Sequence, residues 1–219
     1  MEGLRVLMSP TAVLARVARD RMMGAALVIV VLWAVIGAIS AFFSVGGNQL
    51  SRQFDTANLP PDMDPQTIER IQDALQVGVP IASALFPFAW WIVIGLLMHV
   101  AMRIFGGRGA VGSTLAVVGV ACAPLLLTTI LSLPLNVLQG SLDAQNAAMG
   151  LAGLLATVLS LIGFVWHVVL VVLGGRSATN ITTGESSGAC GLTCVGCVGL
   201  TAAGAIVVLV LATALAGGA

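Results

Sequence analysis

The stretch "SSGACGLTCVGCVGLTAAGAIVVLVLATALAGGA", Ser186–Ala219, contains no charged side chain. No soluble core needs such a run. A helix through lipid does, because about 20 apolar residues are required to cross roughly 30 Å of hydrocarbon. The rest of the chain agrees. Its 219 residues are 58% hydrophobic and 8% charged, where a soluble domain carries roughly a quarter charged residues. Net charge is zero, so no basic face speaks for nucleic acid. In lipid the backbone has no water to bond, so every span is expected to be a helix. The composition therefore predicts an all-α polytopic membrane protein in the lipid bilayer.

Five apolar stretches mark the predicted transmembrane helices, at about 22–45, 79–102, 111–138, 147–173 and 189–216, within one membrane domain over 1–219. Arginine sets their orientation, since short cytoplasmic connections collect basic residues. Arg5, Arg16, Arg19 and Arg21 precede the first span; Arg103 and Arg108 follow the second; Arg176 follows the fourth. The opposite connections hold Arg52 and Arg70 among Asp55, Asp62, Asp64, Glu69, Asp73 and Asp143. The N-terminus is expected in the cytoplasm and the C-terminus outside, in the cell membrane. All nine basic residues are Arg, a composition expected of a prokaryotic chain.

Two segments outside the spans are amphipathic. In "SPTAVLARVARD", Ser9 reads as N-cap and Pro10 as first helical residue. Val13, Leu14 and Val17 share one face, while Arg16 and Arg19 point elsewhere. This is a helix in the cytoplasmic interface or an extension of the first span. In "DPQTIERIQDALQ", Asp64 caps, Pro65 opens, and Ile68, Ile71 and Leu75 form a stripe. It falls in the outer loop 46–78, where a short helix packed on the outer membrane surface is expected.

Within the spans, Ala152, Ala156 and Ser160 recur every four residues, a pattern that lets a neighbouring backbone approach. The third span holds Pro124 and Pro134, with Thr128, Thr129, Ser132 and Asn136 between or near them. Proline frees a carbonyl and kinks the helix, and Ser or Thr re-satisfies the freed group. A kinked structural helix is the main reading; a polar transport path is the alternative.

Three stretches together resemble a known family. "LMSPTAVLARVARD", Leu7–Asp20, leads into the first span. "GGRGAVGSTLAVVGVACAPLLLTTIL", Gly106–Leu131, is a glycine-rich turn feeding a span with a proline about a dozen residues in. "FVWHVVLVVLGGRSATN", Phe164–Asn180, places a Trp inside the fourth span before a small, polar turn. The order resembles the YIP family (Rab/Ypt-interacting-protein domain) in its prokaryotic branch. The resemblance implies five spans with a cytosolic N-terminus. It implies no catalytic residue set. Eukaryotic relatives contact prenylated small GTPases, partly through a long cytosolic N-terminal region. This chain has about 21 residues there and no acidic cytoplasmic patch, so that role is not carried over.

"CGLTCVGC", Cys190–Cys197, has a C-x3-C-x2-C spacing that also holds iron–sulfur clusters. On a helix these positions lie within about a 60° arc spread over roughly 10 Å, whereas cluster ligands wrap from a loop. The cysteines therefore read as small apolar packing residues among glycines. A soft-metal set is the remaining chemistry: Cys190, Cys194 and Cys197 fall in the same cytoplasmic third as His99 and His167. Shared depth does not establish a shared facing, and Cys122 reads as packing. A neighbouring helix is the expected partner of the cysteine stripe, and no catalytic, cofactor-binding or metal site is assigned. The function expected is that of a non-enzymatic scaffold or partner-binding membrane protein. It is expected to engage a membrane-protein partner or a second copy of itself. No cofactor, nucleic acid or small-molecule substrate is expected. A small transporter or channel subunit is the alternative, and a membrane metal or redox protein the lesser one.

Overall fold

The computed structural model describes residues 10–46, 65–141, 147–197 and 199. Among them every regular element is an α-helix: α1 Pro10–Asp20, α2 Met23–Gly46, α3 Pro65–Ile104, α4 Val111–Ala121, α5 Ala123–Ser141, α6 Ala147–Thr179 and α7 over 183–197. Among the described residues four spans are long and apolar enough to cross a bilayer: Met23–Phe43, Gln72–Ile104, Val111–Leu138 and Gly150–Thr179. These are the first four expected. Of the fifth expected span, 189–216, the part over 189–197 is helical in α7, and 200–219 lie outside the described residues.

The third span is the centre of the bundle. Of its apolar window 56% is buried, against 33, 28 and 22% in the others. Its first half, α4, packs against α1, α2, α3 and α6, and its second half, α5, against α2 and α6. Lipid is as apolar as a leucine side chain, so close packing and hydrogen bonds hold such helices together. Gly119 shows the fit. A Cβ there would stand 2.6 Å from the Ala26 Cβ and 2.8 Å from Trp91 Nε1. Trp91 Nε1 in turn donates to the Leu115 carbonyl at 2.7 Å, tying α3 to α4. At the far end of the bundle Asn136 Nδ2 donates to Ser40 Oγ at 2.9 Å, tying α5 to α2.

The third span breaks rather than bends. Cys122 leaves the α4 ladder with ψ −6° and its N–H bonds Gly119 O at 3.2 Å. The ladder resumes with Leu126 N–H on Cys122 O at 3.0 Å. Pro124, with no N–H to give, is the sequence cause. Hydroxyls were expected to re-satisfy the freed groups. At the break itself the groups that do so are the Cys122 thiol, on Val118 O at 3.3 Å, and His167 from α6, on Ala121 O at 2.8 Å.

Three boundaries differ from expectation. The amphipathic segment of the outer loop does not form a separate helix. It is the first part of α3, one helix of 40 residues, about 60 Å long at 1.5 Å per residue. Pro80 and Pro87 lie inside it. Each removes one ladder bond without ending the helix, and the Ser83 carbonyl that Pro87 frees lies 3.5 Å from the Cβ position of Gly37. Ile68 and Ile71 have side chains outside the described residues, as do Ser9 and Asp64, the expected caps. The fourth span continues past Leu173 to Thr179. Its Gly174–Gly175 pair is a contact surface, not a turn: a Cβ on Gly174 would strike Val117, and one on Gly175 would strike Met102. Asn180, at φ 57°, ends the helix in the left-handed region that Asn tolerates. Finally, α7 starts before Ala189. Thr182 and Glu185 form a reciprocal capping box, with Thr182 N–H on Glu185 Oε2 at 2.8 Å and Glu185 N–H on Thr182 Oγ1 at 3.3 Å.

The N-terminal helix is not an extension of the first span. Arg21, at φ 48°, turns the chain between α1 and α2. The expected face is buried, with Val13, Leu14, Val17 and Ala18 at 7% exposure or less. It lies on α4 and α6.

Candidate functional site

The sequence places the arginine-bearing turns at one end of the bundle, and packing welds them into a platform. The α1 helix lies on α4 and α6. The turn between α3 and α4 folds onto the end of α6, where Arg108 N–H bonds the Thr179 carbonyl at 3.1 Å. Gly107 fits there because a Cβ would approach Met102 O at 2.8 Å and Thr179 Cβ at 2.9 Å. The start of α7 is pinned beside them by Ser186 Oγ, which donates to Val172 O at 2.7 Å.

On this platform Arg16, Arg19, Arg21, Arg103, Arg108 and Arg176 are all exposed. Arg19 pairs loosely with Asp20 at 3.9 Å. Arg103 donates to Gly109 O at 3.4 Å and Arg176 to Thr183 Oγ1 at 3.2 Å. The other acidic group among the described residues of this end is Glu185, whose carboxyl is held below its ordinary range by the Thr182 N–H and hydroxyl. At the opposite end the described charges are Glu69, Arg70 and Asp73. The arrangement can offer a fixed cationic surface to an anionic or polar partner.

The cysteine stripe is answered in part. Cys190, Cys194 and Cys197 line a cavity of about 190 Å³ together with His167. His99 is not part of that wall. Its Nδ1 sits 3.1 Å from Thr114 Oγ1 on α4. Shared depth thus placed one histidine of the two beside the sulfurs. Among the described residues no group of three His, Cys, Asp or Glu side chains stands ready to hold a metal ion. Cys122 is fully buried at the helix break.

The third-span hydroxyls bond back to their own helix. Thr128 and Thr129 donate to Leu125 O at 3.1 and 2.7 Å, and Ser132 donates to Thr129 O at 3.1 Å. A recess of about 310 Å³ lies beside them, where Trp33, Phe86, Trp90 and Phe164 meet Thr128, Thr129 and Ser160, and one of about 560 Å³ is lined by Trp33, Phe86 and Pro87 with Ser40, Ser83 and Thr129. This geometry lends the polar-path reading no support. Ala152 is buried, but Ser160 is exposed, so the small-residue repeat is a contact face at one end only.

Sequence reasoning missed four residues that matter here. Met98 and Thr193 join the cysteine cavity, with Thr193 Oγ1 3.6 Å from Met98 Sδ; nothing in their spacing announces this. The Thr182–Glu185 box carries a readable signal, T-x-x-E before an apolar run.

Comparison with curated proteins and with solved structures finds no match. The sequence profile of the Yip1 domain matches residues 4–217. With nearly the whole length covered, and the apolar helices of a multi-pass membrane protein in place, the chain belongs to the Yip1 domain family.

Proposed function

We propose that this protein is a non-enzymatic scaffold of the cell membrane. It crosses the bilayer five times, with its N-terminus in the cytoplasm and its C-terminus outside, and it holds a membrane-protein partner or a second copy at its arginine-rich end. The observation that carries this reading is the platform. The α1 helix buries its apolar face in the bundle and keeps Thr11, Ala15, Arg16 and Arg19 outward. A docked helix presents such residues at low entropic cost to a partner. Positive charge gathered at one end argues for its cytoplasmic placement. The arginine-only basic composition argues for the prokaryotic branch of the family.

Photo-crosslinking from Ala15 in native membranes tests the reading. A discrete protein adduct is expected, lost when Arg16 and Arg19 are changed to Glu, while a crosslinker at lipid-facing Leu155 gives none. Capture of lipid alone from Ala15 contradicts it.

A further inference from the structure

We propose that Cys190 and Cys194 bind a soft monovalent d10 cation of the copper(I) class at the wall of the α3–α6–α7 cavity. Four of the eleven described residues that line it carry sulfur: the three thiols of α7 and the Met98 thioether of α3 share a wall around about 190 Å³ of space. Among the described residues no carboxylate, lysine or arginine lines it. Thiolate and thioether sulfur select soft metals and are poor ligands for magnesium, calcium or manganese.

Coordination number then separates the soft metals. A structural zinc site takes four ligands. The stripe spreads over roughly 10 Å, and among the described residues no three ligating side chains converge. Two sulfurs share one face: Cys190 and Cys194 stand four residues apart on α7, neighbours on the helix surface, and both line the cavity. Two ligands suffice for a monovalent d10 cation, which accepts linear coordination. Cys194 is exposed and Cys190 is 8% exposed, so the outer thiol is the point of capture and the inner one the point of retention. Met98, whose Sδ lies 3.6 Å from Thr193 Oγ1, lines the same cavity and adds a neutral soft sulfur to it. His167 shares the cavity, but its Nδ1 is committed to the Ala121 carbonyl, and the set is all sulfur. On binding, two S–H bonds break and two S–metal bonds form. Both protons leave to water, and the metal keeps its oxidation state.

The test offers copper(I), carried by a chromophoric chelator, to the reduced full-length protein in detergent. One copper per chain should transfer, with only sulfur neighbours in its X-ray absorption spectrum. Cys190→Ser and Cys194→Ser should each weaken binding more than about tenfold, since each removes a soft ligand. Cys122→Ser should bind as the parent does. Position 194 is exposed, so Cys194→Ser carries the test even if the buried Cys190→Ser variant fails to fold. The proposal is overturned by failure of copper to transfer, or by nitrogen or oxygen neighbours. It is equally overturned by copper that persists in the double variant, which would be an adventitious ion only.

Discussion

His167 Nδ1 lies 2.8 Å from the carbonyl oxygen of Ala121, the last residue of α4. A carbonyl only accepts, so Nδ1 carries the hydrogen. The bond crosses from the fourth span to the point where the third span breaks. His167 is 2% exposed, so without it the carbonyl would be enclosed with no water to replace the donor. His167→Leu is expected to cost about 1–3 kcal/mol, the desolvation penalty of an unpaired buried acceptor. His167→Gln, whose amide can donate, should recover part of this. Thermal unfolding in detergent measures both, and a Leu variant that melts with the parent would remove the histidine from any role at the break.

Two adjacent indoles make opposite predictions. Trp91 Nε1 bonds Leu115 O at 2.7 Å. Trp90 Nε1 is, among the described residues, the enclosed side-chain polar atom with no partner. Trp91→Phe loses a buried bond and should cost about 1 kcal/mol or more. Trp90→Phe discards an unmet donor and should leave stability unchanged or raised. Equal losses at the two positions would contradict the assignment.

Glycine serves packing at some sites and not at others. Gly119→Ala drives a methyl into Ala26 and Trp91 and should cost about 1–3 kcal/mol, as overpacking does. Gly112, also in α4, has nothing within 4 Å of its Cβ position. There alanine should stabilise by roughly 0.5–1 kcal/mol through helix propensity. Unfolding of the two variants side by side decides whether α4 is the tightly held centre described here.

The start of α7 should respond to acid. Glu185 is held below its ordinary value of 4.5 by the Thr182 N–H first and the Thr182 hydroxyl second. A lowered carboxyl pKa stabilises the fold fully above that ordinary value, and the contribution is lost as pH falls through the lowered one. The protection of the Ser186 and Ser187 amides, relative to their intrinsic exchange rates, should therefore fall on acidification below 4.5. Glu185→Gln, which does not titrate, should flatten that dependence. An unchanged pH profile in the Gln variant would show that the capping carboxylate is not responsible.

What the chain reveals of itself follows from how local each cause is. The spans are legible because one apolar run suffices to define each. The buried face of α1 is legible because Val13, Leu14 and Val17 repeat at helical spacing. Pro124 announces a disturbance, but the break at Cys122 and its rescue by His167 depend on a residue in another span. Gly174 and Gly175 look like a turn until Val117 and Met102 are seen against them. The Pro80 and Pro87 positions look like breakers, yet a helix end needs more than one missing donor. Equal depth put both histidines near the cysteines on paper; facing, which depth does not encode, kept only His167. The Thr182–Glu185 box was present as T-x-x-E, obscured because hydropathy alone sets the span start later.

In the topology proposed above, the arginine-rich end of the bundle faces the cytoplasm. Single cysteines at Thr183 and at Asp73, both exposed, in a chain with its four native cysteines changed to serine, test it most directly. In intact cells a membrane-impermeant maleimide should label position 73 at once and position 183 only after permeabilisation. Labelling of 183 in intact cells, with 73 protected, would contradict the account.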